Sequence, residues 1–155
     1  MREKKTKINY IEEMMATPTP IVGAPGDFYF YFQIFLQTLL AGAVVIIGLY
    51  LLDIYELSGS LFFFDVLYYV LAWEVVVFAY AGFRIARQSG SYRLAARNGA
   101  IIGFFLGVII AIFKILWFYK LWTVFNLLTE PIEYLLLGLI VSGLVASLVP
   151  KKILY

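Results

Sequence analysis

Long apolar runs separated by short polar stretches make up most of the chain. Each run is about twenty residues long, the length that an α-helix needs to cross the hydrocarbon core of a bilayer. The four runs are 28–52, 61–83, 99–119 and 131–149. Polar stretches at 53–60 and 88–91 mark the breaks after the first two runs. The pattern predicts an all-α, polytopic membrane protein, with a bundle of four transmembrane helices over residues 28–155.

Two other segments outside these runs affect the prediction. Residues 121–128 are apolar but too few to span a bilayer, so we expect an interfacial segment that turns the chain at Glu130–Pro131. Residues 1–27 lack an apolar stretch close behind their positive charges, which argues against a cleaved signal peptide. We expect them to remain as a cytoplasmic N-terminal segment.

Composition agrees with a membrane protein and narrows the chemistry. The chain is 63% hydrophobic and 14% charged, whereas an ordinary soluble domain is about 25% charged. It has no His and no Cys, which excludes Ser-His and Cys-His catalysis, disulfides and the usual zinc and iron–sulfur sites. We therefore expect no catalytic residue, no metal and no cofactor. Nucleic acid is not expected as a partner either, because the aromatic residues flank apolar runs rather than a basic groove.

Lys and Arg residues fall on one side of the predicted membrane. Ten of the twelve basic residues lie before the first run, between the second and third, or after the fourth. Short loops rich in Lys and Arg stay in the cytoplasm. Both termini are therefore predicted to be cytoplasmic, and the expected location is the plasma membrane.

Small residues recur along the third and fourth runs. In the third run they are four residues apart, at Gly99, Gly103, Gly107 and Ala111. In the fourth run the spacing is looser, at Gly138, Ser142 and Ala146. Such strips let two helix backbones approach closely, which holds transmembrane helices together in lipid. We expect the two helices to pack as a hairpin, and a seam between copies of the chain is the alternative.

Three ionisable residues lie well inside the predicted spans: Asp65 and Glu74 in the second, and Lys114 in the third. Glu133, at the start of the fourth run, is assigned to the outer loop. Each of the three costs about 2.5–3.5 kcal/mol at the centre of a helix, so an intramembrane charge indicates function by default. At about 1.5 Å per residue, Asp65 and Lys114 both lie roughly 6–8 Å from the outer ends of their helices. The structural interpretation is an ion pair between these two residues that joins the second and third helices.

Glu74 lies near the middle of the second span, nine residues beyond Asp65. Nine residues turn a helix by about 900°, so the two carboxyl groups point to opposite faces. A single four-helix bundle cannot enclose both, and one is expected to face another protein, a polar cavity or displaced lipid. Candidate partners at the depth of Glu74 are Gln37 and Ser142. Without a cation nearby, the Glu74 carboxyl group is expected to be neutral.

Four arginines surround the break between the second and third runs. They are Arg84, Arg87, Arg93 and Arg97. Arg84 and Arg87 are about one helical turn apart, and so are Arg93 and Arg97. We therefore expect both helices to extend beyond the membrane and to turn at 89–91. We expect the four side chains to rest on anionic headgroups. Docking of an acidic partner or a phosphate-bearing lipid is the alternative, because Arg matches phosphate geometry.

These features favour a non-catalytic integral membrane protein that acts as a small subunit, or as a homo-oligomeric component, of a membrane complex. The alternative is a small oligomeric transporter or an ion- or proton-conducting protein that uses Glu74, Asp65 and Lys114. A third hypothesis is an enzyme acting on lipid headgroups at the arginine-rich turn, which lacks a general base nearby. The expected partners are membrane lipids and either copies of the chain or other membrane subunits.

Overall fold

Four α-helices account for most of the residues that the computed structural model describes, which are 25–54, 65–118 and 124–150. The helices are α1 (Pro25–Ile54), α2 (Val66–Ser89), α3 (Tyr92–Phe118) and α4 (Asn126–Leu148). All four are long and apolar enough to cross a membrane. Even α4, with 23 residues, is about 35 Å long, against about 30 Å for a hydrocarbon core. The prediction of an all-helical chain with four helices of spanning length is confirmed for the described residues.

Some predicted segments lie outside the described residues. They are the N-terminal segment up to residue 24, the start of the second run at 61–64, the connection at 119–123 and the basic end at 151–155. The chain divides into two compact units, residues 1–30 and 31–155. Every contact discussed below lies within the second unit.

Capping residues fix both ends of α2. The Asp65 carboxylate caps α2 by accepting a hydrogen bond from the Leu67 N–H at 3.0 Å. At the other end, Gly90 takes the left-handed conformation with φ 65°, and its N–H donates to the Ala86 carbonyl at 2.8 Å. The next helix, α3, begins at Tyr92. The turn between the two helices therefore falls at 89–91, as the arginine spacing predicts.

The start of α4 differs from the prediction. The helix begins at Asn126 and contains Pro131, whereas the sequence predicts a turn at Glu130–Pro131. Pro131 lies near the N-terminal end of α4, where the first four N–H groups have no helical partner in any case. Its missing N–H removes one further bond, to the Leu127 carbonyl, and the helix continues through it. As a result, Glu130 stands on a helix face rather than in a loop.

The closest pair of helices is α3 and α4, which meet along the predicted strip of small residues. A Cβ atom at Gly107 would lie 2.6 Å from the Glu130 carbonyl oxygen, and one at Gly103 would overlap the Tyr134 carbonyl oxygen. Ala111, at the end of the strip, is fully buried. The strip therefore packs inside the chain, which is the hairpin arrangement and not the seam between copies.

A junction of small residues joins α2 to this hairpin. A Cβ atom at Gly82 would lie 2.5 Å from the Ser142 carbonyl oxygen, and Gly99 and Gly138 abut each other across the hairpin. The Ser142 hydroxyl donates to the Phe78 carbonyl at 2.9 Å. Three helices thus meet at Ser142, and α2 is held against α4 at this level.

Side-chain contacts hold α1 against α2 and α3. The Trp73 indole N–H donates to the Ala41 carbonyl at 3.2 Å. The Leu106 side chain fills the space over Gly42, where a Cβ atom would lie 2.8 Å from Leu106 Cδ2. These contacts place α1 beside the other helices without the backbone-to-backbone approach seen between α3 and α4.

Every described helix keeps an apolar face exposed. Val44, Leu67, Leu116 and Leu144 are examples, one from each helix. Monomeric soluble proteins rarely expose large contiguous apolar patches, because water cannot cover them favourably. Lipid chains can cover such patches favourably, so these faces are compatible with a membrane location.

Candidate functional site

A polar groove with a volume of about 380 Å³ opens between α2 and α4. The lining comprises Leu67, Val70, Leu71 and Glu74 of α2, Glu130, Glu133, Tyr134 and Leu137 of α4, Lys114 of α3 and Tyr50 of α1. On both α2 and α4 the lining residues follow the i, i+3, i+4, i+7 spacing of a single helix face. The two helices touch at Gly82 and Ser142, and the groove lies between their N-terminal halves.

An ion pair lies inside the polar groove. The Lys114 ammonium group bonds the Glu130 carboxylate, and the two side chains are only 17% and 10% exposed. Lys114 Nζ also lies 4.8 Å from the centroid of the Tyr50 ring, which is a cation–π contact. A carboxylate and an aromatic ring therefore offset the burial of the ammonium group.

The predicted ion pair between Asp65 and Lys114 is wrong, since Lys114 pairs with Glu130 instead. Asp65 is exposed and its carboxylate caps α2 through the Leu67 N–H. The prediction fails because the hydrophobic pattern puts Glu130 in a loop. With α4 starting at Asn126, Glu130 lies on the helix that packs against α3.

Glu74 lies at the deep end of the polar groove and is only 7% exposed. Tyr134 also lines the groove, and its side chain interacts with the Glu74 carboxyl group. The predicted partners lie elsewhere: Gln37 is exposed on α1, and the Ser142 hydroxyl donates to the Phe78 carbonyl. Tyr134 is available to Glu74 because it lies on the face of α4 that lines the groove.

The two carboxyl groups of the second apolar run therefore have different roles. Asp65 stands before the first residue of α2 as its cap, whereas Glu74 points into the bundle. Of the three surroundings expected for one of these carboxyl groups, which were another protein, a polar cavity and displaced lipid, Glu74 is found in the polar groove of its own chain. Asp65 has its partner in the Leu67 N–H of its own helix.

The four arginines lie around the α2–α3 turn, at the end of these helices opposite to the polar groove. All four side chains are exposed. Arg84 and Arg93 each lie over the ring of a tyrosine, at 5.7 and 5.9 Å from its centroid. Arg87 differs from the others because it lines a second cavity. The structure thus does not bring the four guanidinium groups to one common site.

Sequence reasoning missed several residues of the polar groove: Tyr50, Glu130, Glu133 and Tyr134. A signal for three of them is present in the sequence. Starting from Glu130, steps of three and four residues reach Glu133 and Tyr134, which form a polar face on an apolar helix. That face can be recognised only if α4 is taken to begin before Pro131.

No family model, curated protein or solved structure matches the chain. Within residues 25–54, 65–118 and 124–150, no three acidic side chains are grouped in a way that would hold a metal ion. The polar groove is therefore the feature from which a function can be inferred.

Proposed function

We propose that the protein is a non-catalytic integral membrane carrier that takes a proton or a small organic cation into the polar groove and moves it across the bilayer. In this proposal the helices span the plasma membrane, both termini and the α2–α3 turn lie in the cytoplasm, and the groove faces outward. The main support for this proposal is the burial of Glu74 beside Tyr134 and the Lys114–Glu130 pair in otherwise apolar helices. Ionisable groups at such positions are costly and mark ion or substrate pathways.

The charge of the polar groove supports a cation as the transported species. Three carboxyl groups and one ammonium group line it. The pair between Lys114 and Glu130 offsets one carboxylate, which leaves Glu74 at the deep end and the exposed Glu133 nearer the surface. Because Glu74 is buried and Glu133 is exposed, the two carboxyl groups offer an inner and an outer position for a proton or a cation. Tyr134 adds an aromatic ring beside the buried one.

The shape of the polar groove supports a carrier rather than an open pore. Beyond Glu74, α2 and α4 come into backbone contact at Gly82 and Ser142. Passage to the other side requires the two helices to separate at this contact. A site near the middle of the helices that is closed at one end fits alternating access, in which packed elements move around a central site.

Flux measurements on purified protein in liposomes test the proposal. Glu74→Gln keeps the size of the side chain but removes its ionisable group. We expect uptake driven by a pH gradient, measured for protons and for tetraethylammonium, to fall to the level of empty liposomes.

The matched control for this experiment is Asp65→Asn, the same chemical change on α2 but outside the polar groove. We expect it to retain the flux of the unmodified protein. Equal flux in Glu74→Gln and the unmodified protein would remove Glu74 from the pathway. Equal loss of flux in both variants would show that the loss does not depend on a carboxyl group inside the polar groove.

A second candidate function is a non-catalytic subunit or homo-oligomeric component of a membrane complex. The rim of the polar groove favours it, because Leu67 and Leu71 are 61% and 48% exposed and leave room for a helix of another protein.

The chain has no Cys, so a single Leu71→Cys reports contact between copies by disulfide formation. Leu40→Cys on α1 is the control. A monomer by native mass spectrometry, without cross-linking in membranes, would contradict a homo-oligomer.

A further inference from the structure

A second cavity lies beside the α2–α3 turn and has a volume of about 580 Å³, within the usual range of small-molecule sites. One wall comes from the turn and carries Arg87, Gln88 and Tyr92. The other wall comes from the end of α4 and is mostly apolar, with Ala146, Val149 and Pro150. We call this space the turn cavity. Its two walls differ in polarity, so its ligand should have both a polar and an apolar part.

We propose that the turn cavity binds the phosphate group of an anionic membrane lipid. Arg87 supplies a guanidinium group, whose forked donors match phosphate oxygens. Between Glu74 and Glu130 the sequence has no acidic residue, so this stretch carries only positive charge. The other arginines around the turn add to the positive potential without lining the cavity.

The position of the turn cavity along α2 favours a lipid. With 24 residues, α2 is about 36 Å long, against about 30 Å for the hydrocarbon core. The last turn of α2, which holds Arg87, therefore reaches the level of the lipid headgroups. Ala146 and Val149 of the apolar wall lie beside the Arg87 wall at the same end of the helices, so they can contact the glycerol and the first methylene groups of a lipid whose phosphate binds Arg87. Free phosphate would use the Arg87 wall but not the apolar wall.

Lipid binding to the purified protein tests this inference, which does not rest on the function proposed for the polar groove. The probes are phosphatidylglycerol and phosphatidylcholine, and the readout is native mass spectrometry after delipidation. We expect the unmodified protein to retain phosphatidylglycerol about tenfold more tightly than phosphatidylcholine. Both lipids carry the phosphate, but the choline cation of phosphatidylcholine offsets its charge and is repelled by the basic end of the bundle. Arg87→Gln should abolish this preference. Arg97→Gln removes the same charge at the same end but outside the cavity, and should preserve the preference.

A second variant tests the cavity without changing charge. Ser147 also lines the turn cavity and is exposed, so Ser147→Leu should fill the space and weaken phosphatidylglycerol binding while the melting temperature stays the same. Unchanged binding in Ser147→Leu, or equal weakening by Arg87→Gln and Arg97→Gln, would overturn the proposal in favour of diffuse electrostatic attraction. Displacement of the lipid by inorganic phosphate at equal concentration would overturn it in favour of a site for free phosphate.

Discussion

Replacing Glu130 by Gln is expected to destabilise the protein, because it leaves the Lys114 ammonium group buried without its carboxylate. Breaking a buried ion pair in this way typically costs about 3–5 kcal/mol. Two features reduce the cost here. Lys114 lies one turn before the end of α3 at Phe118, so its long side chain can reach toward the interface. The contact with the Tyr50 ring also remains. We therefore expect a loss of about 2–3 kcal/mol in the free energy of unfolding.

Reversible unfolding in mixed dodecylmaltoside and SDS micelles, followed by circular dichroism, measures this loss. The double variant Lys114→Met/Glu130→Gln is expected to recover most of it, since replacing both members of a buried pair by uncharged groups is often close to neutral. Lys114→Met alone should cost less than Glu130→Gln, because at pH 7 neutralising an unpaired carboxylate costs less than neutralising an unpaired ammonium group. The coupling energy from the double-mutant cycle should exceed about 1 kcal/mol.

Asp65→Asn is the control, because Asp65 is the partner that depth along the helices suggests for Lys114. Asn caps a helix about as well as Asp, so this variant should leave the free energy of unfolding almost unchanged. Its effect should also add to that of Lys114→Met without coupling. A loss below about 0.5 kcal/mol for Glu130→Gln, or coupling between Asp65 and Lys114, would refute the assignment of the pair.

Two further predictions test the packing and the turn, by the same unfolding titration. Gly103→Leu is expected to prevent stable folding, because its side chain would overlap the Tyr134 carbonyl oxygen. Gly48→Leu is the control: no atom lies within 4 Å of a Cβ at Gly48, so the free energy of unfolding should change by less than about 1 kcal/mol. Equal effects of the two leucines would contradict the packing of α3 on α4. Gly90→Ala is expected to cost about 1–2 kcal/mol, because a side chain is strained at φ 65°, and a neutral result would contradict the left-handed cap.

The features that sequence could predict are those set by local pattern. Apolar runs of spanning length predict the four helices, and the arginine spacing with Gly90 predicts the turn between α2 and α3. The strip from Gly99 to Ala111 predicts a close approach of α3 and α4 because only small residues permit it. Each of these follows from a few neighbouring residues, so no knowledge of the other helices is needed.

The partners of the charged residues could not be predicted in the same way. Depth along a helix makes Asp65 and Glu130 equally suitable for Lys114, and the choice depends on where α4 begins and which face it turns toward α3. Glu74 poses the same problem. Counting residues from the helix ends suggests Gln37 and Ser142, but Ser142 packs against Phe78 and Gly82, about one to two turns beyond Glu74, and the part of α4 that faces Glu74 carries Tyr134. A one-dimensional pattern contains neither the register nor the rotation of packed helices.

Both pairs in the polar groove attach to α4, and this has a consequence for the proposed carrier. Lys114 pairs with Glu130 and joins α3 to α4, while Glu74 of α2 faces Tyr134 of α4 in the groove. In the proposed carrier, a cation bound to the Glu74 carboxylate takes up oxygen lone pairs that are otherwise open to the Tyr134 hydroxyl, whereas a proton leaves the carbonyl oxygen free as an acceptor. We therefore expect a bound cation to loosen α2 from α4 at the level of Glu74, about two helical turns from their contact at Gly82. In this proposal the contact at Gly82 opens for passage, and the Lys114–Glu130 pair keeps α3 and α4 together.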